Sequence, residues 1–361
     1  MDTKRIRLSD ATAGMLVAED VVNDVGQLIF PAEARLTDKA IARMQFHSIH
    51  YLRIYLEDEG EHKEESDVDD LSYFEKLRES EEFNDFNEQF SNVALTFEQE
   101  MMRVLKEGGD TDSQSLSNGV KKILSSCRSG IQVFDLLHCT RSYDEVVFAH
   151  SLNVAIISAV LGGWLGFSME DIDMLIQCGI YHDIGKLAVP KEILEKPGAL
   201  TPDEYAVMRT HTTLGYGILK DMNLDRRVKL AAMMHHERCD GTGYPLGVKE
   251  NQIERITKVI AIADVYEAMT APRKYRKARC PFEAIKMFES SGLALFDTKY
   301  LMTFIEHMAS CYMGYRVRLN DGTVGTIVYM NKQDNTKPMI QVGSQYIDLF
   351  RNPKVYIEEI L

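Results

Sequence analysis

From about Val120 to Tyr312 the chain repeats apolar residues at helical spacing, and the stripes that should face a core also carry histidine. Val147, His150, Val154, Ile157 and Leu161 step by three or four, as do Ile172, Leu175, Gly179 and His182. Residues at that spacing lie on one helix face. Thr201-Pro202-Asp203-Glu204 joins a capping box to proline at the first helical position, a clear helix start. On the helix that follows, Val207, His211, Leu214 and Ile218 are expected to share one face. Val228, Ala232 and His235 line up next, then Ile256, Ile260 and Asp264. The expected fold here is a helical bundle in which four helices turn a histidine, and a fifth an aspartate, toward their buried sides.

A single histidine on an apolar face is usually a hydrogen-bonded core residue. The set is different, because His150, His182, Asp183, His211, His235, His236 and Asp264 hold five of the chain's ten histidines on core-facing turns. Burying so many imidazoles and carboxylates without partners is costly, whereas metal ions satisfy them together. Neighbouring helix residues diverge by about 100°. The adjacent pairs His182-Asp183 and His235-His236 can therefore reach one metal from two sides, or let a carboxylate bridge two. Nitrogen and oxygen donors without thiolate disfavour structural zinc and suit iron, manganese or nickel.

The remaining sequence frames this region. Residues 1–56 read as a small α+β module: an apolar segment at Met15 to Val22, a turn at Asn23-Asp24-Val25-Gly26, a strand at Gln27 to Phe30, a Thr37-capped helix to about Ile49 and a strand at Tyr51 to Leu56. His47 and His50 are expected to be surface or packing residues. Residues 57–117 are an acidic linker, EDEGEHKEESDVDD, and a connecting helix over 73–107. The bundle is assigned to 118–312. Residues 313–361 change to short strands at 315–319, 324–330, 339–342 and 354–357, with an Asn320-Asp321-Gly322 turn: a small β module, expected to be barrel-like.

A formal charge of −14 argues against general affinity for DNA backbone, which needs clustered cations. An anionic substrate would then need a local positive site, and metal ions can supply one. The six cysteines are scattered without a CxxC pair, which suggests neither a zinc ribbon nor a disulfide framework and fits a reducing cytoplasm. No apolar run approaches the roughly 20 residues that span a bilayer, so a soluble protein is expected.

The motifs resemble those of the HD-GYP family within the HD phosphohydrolase superfamily. His182-Asp183-Ile184-Gly185-Lys186 matches HDxGK, and His235-His236-Glu237-Arg238-Cys239-Asp240-Gly241-Thr242-Gly243-Tyr244-Pro245 matches HHExxDGxGYP. Ala263-Asp264-Val265-Tyr266, with Ala271-Pro272-Arg273-Lys274-Tyr275-Arg276, matches the third region, and His150 matches the first ligand. The resemblance covers about residues 120–312.

It implies a bacterial cyclic di-GMP phosphodiesterase that yields pGpG, GMP or both through a hydroxide bridging two metals. Its seven ligands would be the residues named above, with Asp183 bridging and catalytic. Lys186 would act in catalysis and, with Arg273 and Arg276, hold substrate phosphates. Gly243-Tyr244-Pro245 would form a loop that docks diguanylate cyclase (GGDEF) domains, and a homodimer is allowed. Iron is the first choice of metal, with manganese and nickel as alternatives. Some family members carry a glutamate four residues before the first histidine ligand, where it helps hold a third metal; Val146 stands there in this chain, which implies a dinuclear site. Two other readings stay open: a phosphodiesterase for another cyclic dinucleotide such as 3′,3′-cGAMP, and a non-catalytic nucleotide-sensing or cyclase-docking module.

Overall fold

Ser80 breaks the helix expected over 73–107. Its hydroxyl accepts from the Phe83 N–H at 3.1 Å, a capping bond that starts a new helix. Tyr73–Arg78 (α1) and Glu81–Glu107 (α2) are therefore separate. The computed structural model describes residues 3–22, 28–37, 40–41, 44, 49, 51–55, 73–140, 147–271 and 279–361. Two units are resolved, Leu77–His307 and a second made of Met1–Lys76 with Met308–Leu361.

The unit Leu77–His307 is helical. After α2 come Ser113–Ser126 (α3), Gly130–Thr140 (α4), Val147–Trp164 (α5), Met169–Tyr181 (α6), Pro202–Arg209 (α7), His211–Leu219 (α8), Arg226–Met234 (α9), Arg255–Thr270 (α10) and Pro281–Met287 (α11). Thr298–Cys311 (α12) follows them. Helix α5 is apolar on nearly every side and buried along most of its length, from Phe148 to Gly162. It is long and apolar enough to cross a membrane, but 72% of it is buried inside the protein. Phe97 of α2 meets Phe148 and Tyr181 edge-on at 5.0 and 5.6 Å, which makes α2 a wall of this unit.

Glycine sets how closely the central helices approach. A Cβ on Gly179 of α6 would lie 2.4 Å from the Ala155 Cα of α5, so only glycine lets these backbones touch. The capping box at Thr201 forms as expected, with Glu204 N–H donating to the Thr201 hydroxyl and Thr201 N–H to the Glu204 carboxylate. The helix it starts is shorter than expected, because α7 ends at Arg209 and α8 begins at His211. Past Thr210 the buried positions are His211, Thr212, Gly215 and Leu219, whereas Val207 and Leu214 are 37% and 36% exposed. The expected face of Val207, His211, Leu214 and Ile218 is thus replaced by one that turns about the break.

In the other unit, Thr3–Arg7 (β1) pairs antiparallel with Tyr51–Tyr55 (β4), and Val21–Val22 (β2) with Leu28–Phe30 (β3), around Leu8, Val17, Ile29, Leu36 and Leu52. The segment 15–22 is strand only at its end, with isolated bridges at Leu16 and Val17. Thr37 accepts from the Ala40 N–H at 3.1 Å, as a cap should. Much of the rest of that helix, the turn at 23–26, His47, His50 and the acidic run lie outside the described residues.

The C-terminal strands Arg316–Leu319 (β5), Val324–Tyr329 (β6), Met339–Val342 (β7), Gln345–Asp348 (β8) and Ile357–Ile360 (β9) form one antiparallel sheet, ordered β8-β7-β6-β5-β9. The strand expected at 354–357 lies later, at β9. Lys337 Nζ donates to the Pro353 and Val355 carbonyls at 3.1 and 2.7 Å, which holds that stretch as a loop. Strand β8 was not expected; none of its side chains is buried, so no apolar period marks it. The architecture is mainly α, with a helical HD-type bundle, short N-terminal strands and a small C-terminal β module.

Candidate metal centre

Five helices and the 3₁₀ turn after α6 deliver the seven residues. His150 comes from the first turn of α5 and Asp264 from the middle of α10, and the rest sit at helix ends. His182 caps the C-terminus of α6 and Asp183 opens the 3₁₀ turn Ile184–Ala188. His211 starts α8, and His235 caps α9 with His236 next to it. The adjacent pairs are therefore splayed by helix termini and not by helical rotation alone. His182, Asp183, His211, His235 and Asp264 are buried; His150 and His236 are partly buried.

Asp183 joins two groups of donors. Its Oδ2 lies 3.2 Å from His150 Nε2 and 3.4 Å from His182 Nε2, while its Oδ1 lies 3.3 Å from His211 Nε2 and 3.5 Å from His235 Nε2. Asp264 completes the first group with Oδ1 at 3.2 Å from His150 Nε2, and its Oδ2 points toward His236 Nδ1 at 3.8 Å. In each group, His150-His182-Asp183-Asp264 and Asp183-His211-His235-His236, one ligand atom per residue falls within 4.8 Å of all the others.

These donors fit divalent metals by two independent signs. The Nδ1 atoms of His182, His211 and His235 meet the carbonyls of Gly179, Met208 and Ala231 at 2.8, 2.7 and 3.0 Å. That pattern fixes Nδ1 as the protonated nitrogen and aims the bare Nε2 inward, as in metal-ligating histidines. Second, His150 Nε2, His182 Nε2 and Asp183 Oδ1 are buried with no hydrogen-bond partner. Uncompensated atoms of this kind are costly in a protein interior unless something binds them.

The protonation balance agrees. Burial alone would raise the Asp183 carboxyl, but Lys186 and the His182 and His150 imidazoles hold it well below the usual range. Asp264 is likewise held well below by His150, His182 and His236 against its burial. Burial lowers His211 to about 4 and also lowers His235 and His236, which keeps their lone pairs free at neutral pH. His150 and His182 shift the other way, since Asp183 and Asp264, and for His150 also Glu267, overcome their burial.

Residues 144–300 match the HD domain family. A cyclic di-GMP phosphodiesterase of Pseudomonas aeruginosa, PA4108, is 32% identical over 244 residues, covering 67% of this chain and 58% of that protein. A cyclic di-GMP phosphodiesterase of Thermotoga maritima is 34% identical over 179 residues, 48% of each chain. The 3′3′-cGAMP-specific phosphodiesterase 1 of Vibrio cholerae is 38% identical over 158 residues, 44% of this chain and 35% of that one. The chain thus spans about half the length of the curated relatives it matches. The solved structure of Bd1817, an HDG"Y"P protein from Bdellovibrio bacteriovorus, shares the fold with a TM-score of 0.50 at 14% identity, over 85% of this chain and 99% of that one.

The HD domain match and these relatives support placing the chain in the HD-GYP family.

The HD-GYP motifs have physical roles beyond ligand type. In HDxGK, a Cβ on Gly185 would meet the His211 carbonyl oxygen at 1.9 Å and the Gly215 nitrogen at 2.4 Å, so glycine alone lets the 3₁₀ turn seat on α8 beside the site. Lys186 Nζ donates to Asp183 Oδ2 and is partly exposed. In HHE, the buried Glu237 accepts from the Leu246 and Val248 N–H groups at 2.6 and 3.2 Å and so ties down the GYP loop. Gly243 lies against Glu237, where a Cβ would come within 2.4 Å of backbone. Tyr244 thereby stacks on His236 at 4.7 Å and 29°, while Pro245 and Leu246 stay exposed.

Sequence reasoning missed Glu267, a buried residue of α10 whose Oε2 lies 2.5 Å from His150 Nδ1. Its signal was position: three residues after Asp264, it falls on the same helix face. Glu237 was read as motif without a role. Arg273 and Arg276, expected at the substrate phosphates, lie outside the described residues, as does Val146. None of the six cysteines forms a disulfide.

Proposed function

We propose that this protein is a metal-dependent cyclic di-GMP phosphodiesterase. The observation that carries this reading is Asp183, whose two oxygens each face a different imidazole set, the arrangement a carboxylate needs to join two cations. In this reading His150, His182, Asp183 and Asp264 hold one cation and Asp183, His211, His235 and His236 the other. Their donor set suits iron or manganese. When bound, such a pair supplies an activated water near neutral pH and charge to offset the attacked phosphate.

The chain's own groups do the rest. Neutral His211, His235 and His236 would leave the charge of the cation they hold undiminished, and Asp183 and Asp264 supply two negative charges. Lys186, hinged between Asp183 and solvent, binds a non-bridging phosphate oxygen and offsets the charge gained in the transition state. Arg273 and Arg276 are assigned to the same phosphates on motif position. Glu237 orients the GYP loop, whose exposed Pro245 and Leu246 are the part available to a cyclase domain.

Turnover by metal-loaded protein, with product identification, tests the reading. Cyclic di-GMP should give pGpG, GMP or both, and absence of cleavage with iron or manganese supplied would refute it. A second reading, cleavage of 3′3′-cGAMP, is favoured by the 38% identity to the cholera enzyme of that specificity. The same assay with both nucleotides ranks the two.

A further inference from the structure

Beside the metal groups, two guanidiniums are gathered with two tyrosines. Arg209, exposed at the end of α7, lies 5.5 Å above the Tyr205 ring and 5.6 Å above the Tyr244 ring. Tyr205 is one turn earlier on the same helix and 49% exposed. Tyr244 stacks in turn on His236. Arg238 packs over Phe296 at 4.8 Å with its Nη1 donating to the Glu237 carbonyl. It is partly buried, and its backbone nitrogen lies 2.4 Å from where a Cβ on Gly243, the residue before Tyr244, would sit. Among the described residues neither Arg209 nor Arg238 pairs with a carboxylate, although the chain carries 55 acids against 41 Lys and Arg.

Unpaired guanidinium in so acidic a chain points to a ligand that accepts hydrogen bonds, and the flanking rings narrow its kind. Aromatic faces hold a guanidinium in a fixed plane, and a guanidinium without a carboxylate partner keeps its fork of donors for a ligand. Guanine offers two adjacent acceptors, O6 and N7, that match this fork, whereas adenine places an amino donor where O6 would be. An exposed tyrosine beside the fork supplies a face on which a base can stack. We propose that Tyr205, Arg209, Tyr244 and Arg238 form a guanine-reading subsite at the edge of the metal centre. Arg209 donates to the base edge, and Tyr205 stacks on the ring. The subsite rests on the phosphodiesterase reading for its place in catalysis, but its preference for guanine does not.

Mononucleotides test it, because they carry the base and no phosphodiester to cleave. Calorimetric titration of the metal-loaded full chain with GMP and AMP should show tighter binding of GMP. Arg209→Ala should weaken GMP by about 5- to 150-fold, the range of one bidentate base contact, and AMP by much less. Arg209→Lys keeps the charge without the fork and should not restore the preference. Tyr205→Ala should weaken both nucleotides. Equal loss of GMP and AMP in Arg209→Ala would make Arg209 a phosphate contact and overturn the proposal, as would equal or absent binding by the wild type. A wild type that prefers GMP yet cleaves no cyclic dinucleotide would leave the subsite standing and refute the phosphodiesterase reading.

Discussion

His150 Nδ1 lies 2.5 Å from Glu267 Oε2, and the other oxygen of that carboxylate accepts from Asn153 Nδ2 at 3.2 Å. One buried carboxylate of α10 thus grips two residues of α5 and leaves His150 Nε2 aimed at Asp183 and Asp264. Glu267→Gln preserves size but removes the charge that orients and enriches the imidazole. Divalent-metal affinity is expected to fall by about 10- to 100-fold, the usual effect of losing such an outer partner. Titration with manganese would measure it, alongside circular dichroism for folding. Unchanged affinity would mean that the ring is fixed by something else.

Gly185→Ala should damage both fold and site. The added Cβ would sit 1.9 Å from a backbone oxygen of His211 and 2.4 Å from the Gly215 nitrogen, and neither can move as a flexible side chain would. Overpacking of this kind typically costs about 1–3 kcal/mol. Displacing the turn also moves Asp183 relative to His211. Urea unfolding should show the lost stability and elemental analysis the lost metal. A variant with wild-type stability and metal content would contradict the packing argument.

The contrast between Gly185 and Glu267 shows what the sequence made legible. Imidazoles on apolar stripes are conspicuous because burial without a partner is costly, so every proposed ligand could be named from periodicity and motif. Residues that support the ligands look ordinary. Glu267 reads as one more acid on a helix until α5 is laid against α10, and the need for Gly185 exists only because α8 crosses the turn. Thr210 and Ser80 broke expected helices through local capping and backbone choices that an apolar period does not encode. Strand β8 was invisible because it buries nothing.

Asp173 gives an acid-dependent term remote from the metal groups. Its carboxylate accepts from Ser117 Oγ at 2.5 Å and Gln177 Nε2 at 3.1 Å and pairs with Lys121 at 2.5 Å, tying α3 to α6. Burial would raise its pKa, but Lys121 and Ser117 outweigh this and hold it below the usual value. A depressed carboxylate contributes stability that is complete above its unfolded pKa, about 4, and is lost as pH falls through the folded value. Asp173→Asn should therefore cost about 1–2 kcal/mol at pH 7. The gap from wild type should narrow once pH drops below about 4. A gap independent of pH in urea unfolding would assign the effect to shape rather than charge.

Asp183 and Lys186 touch each other, yet their replacement should have opposite effects on metal. Asp183→Ala removes the carboxylate that belongs to both donor groups, so both should weaken together, and turnover should vanish. Wild-type protein purified without chelators is expected to carry two metals per chain, since the described donors form two groups that share Asp183. Lys186→Ala removes no metal donor and takes a cation away from Asp183, which leaves the carboxylate freer to bind metal. That variant should keep its two metals and lose activity, because the ammonium acts on phosphate. Elemental analysis beside turnover separates the two roles. Full metal content in Asp183→Ala would count against bridging, three well-occupied metals in the wild type would refute the dinuclear assignment, and metal loss in Lys186→Ala would place that lysine in the ligand scaffold.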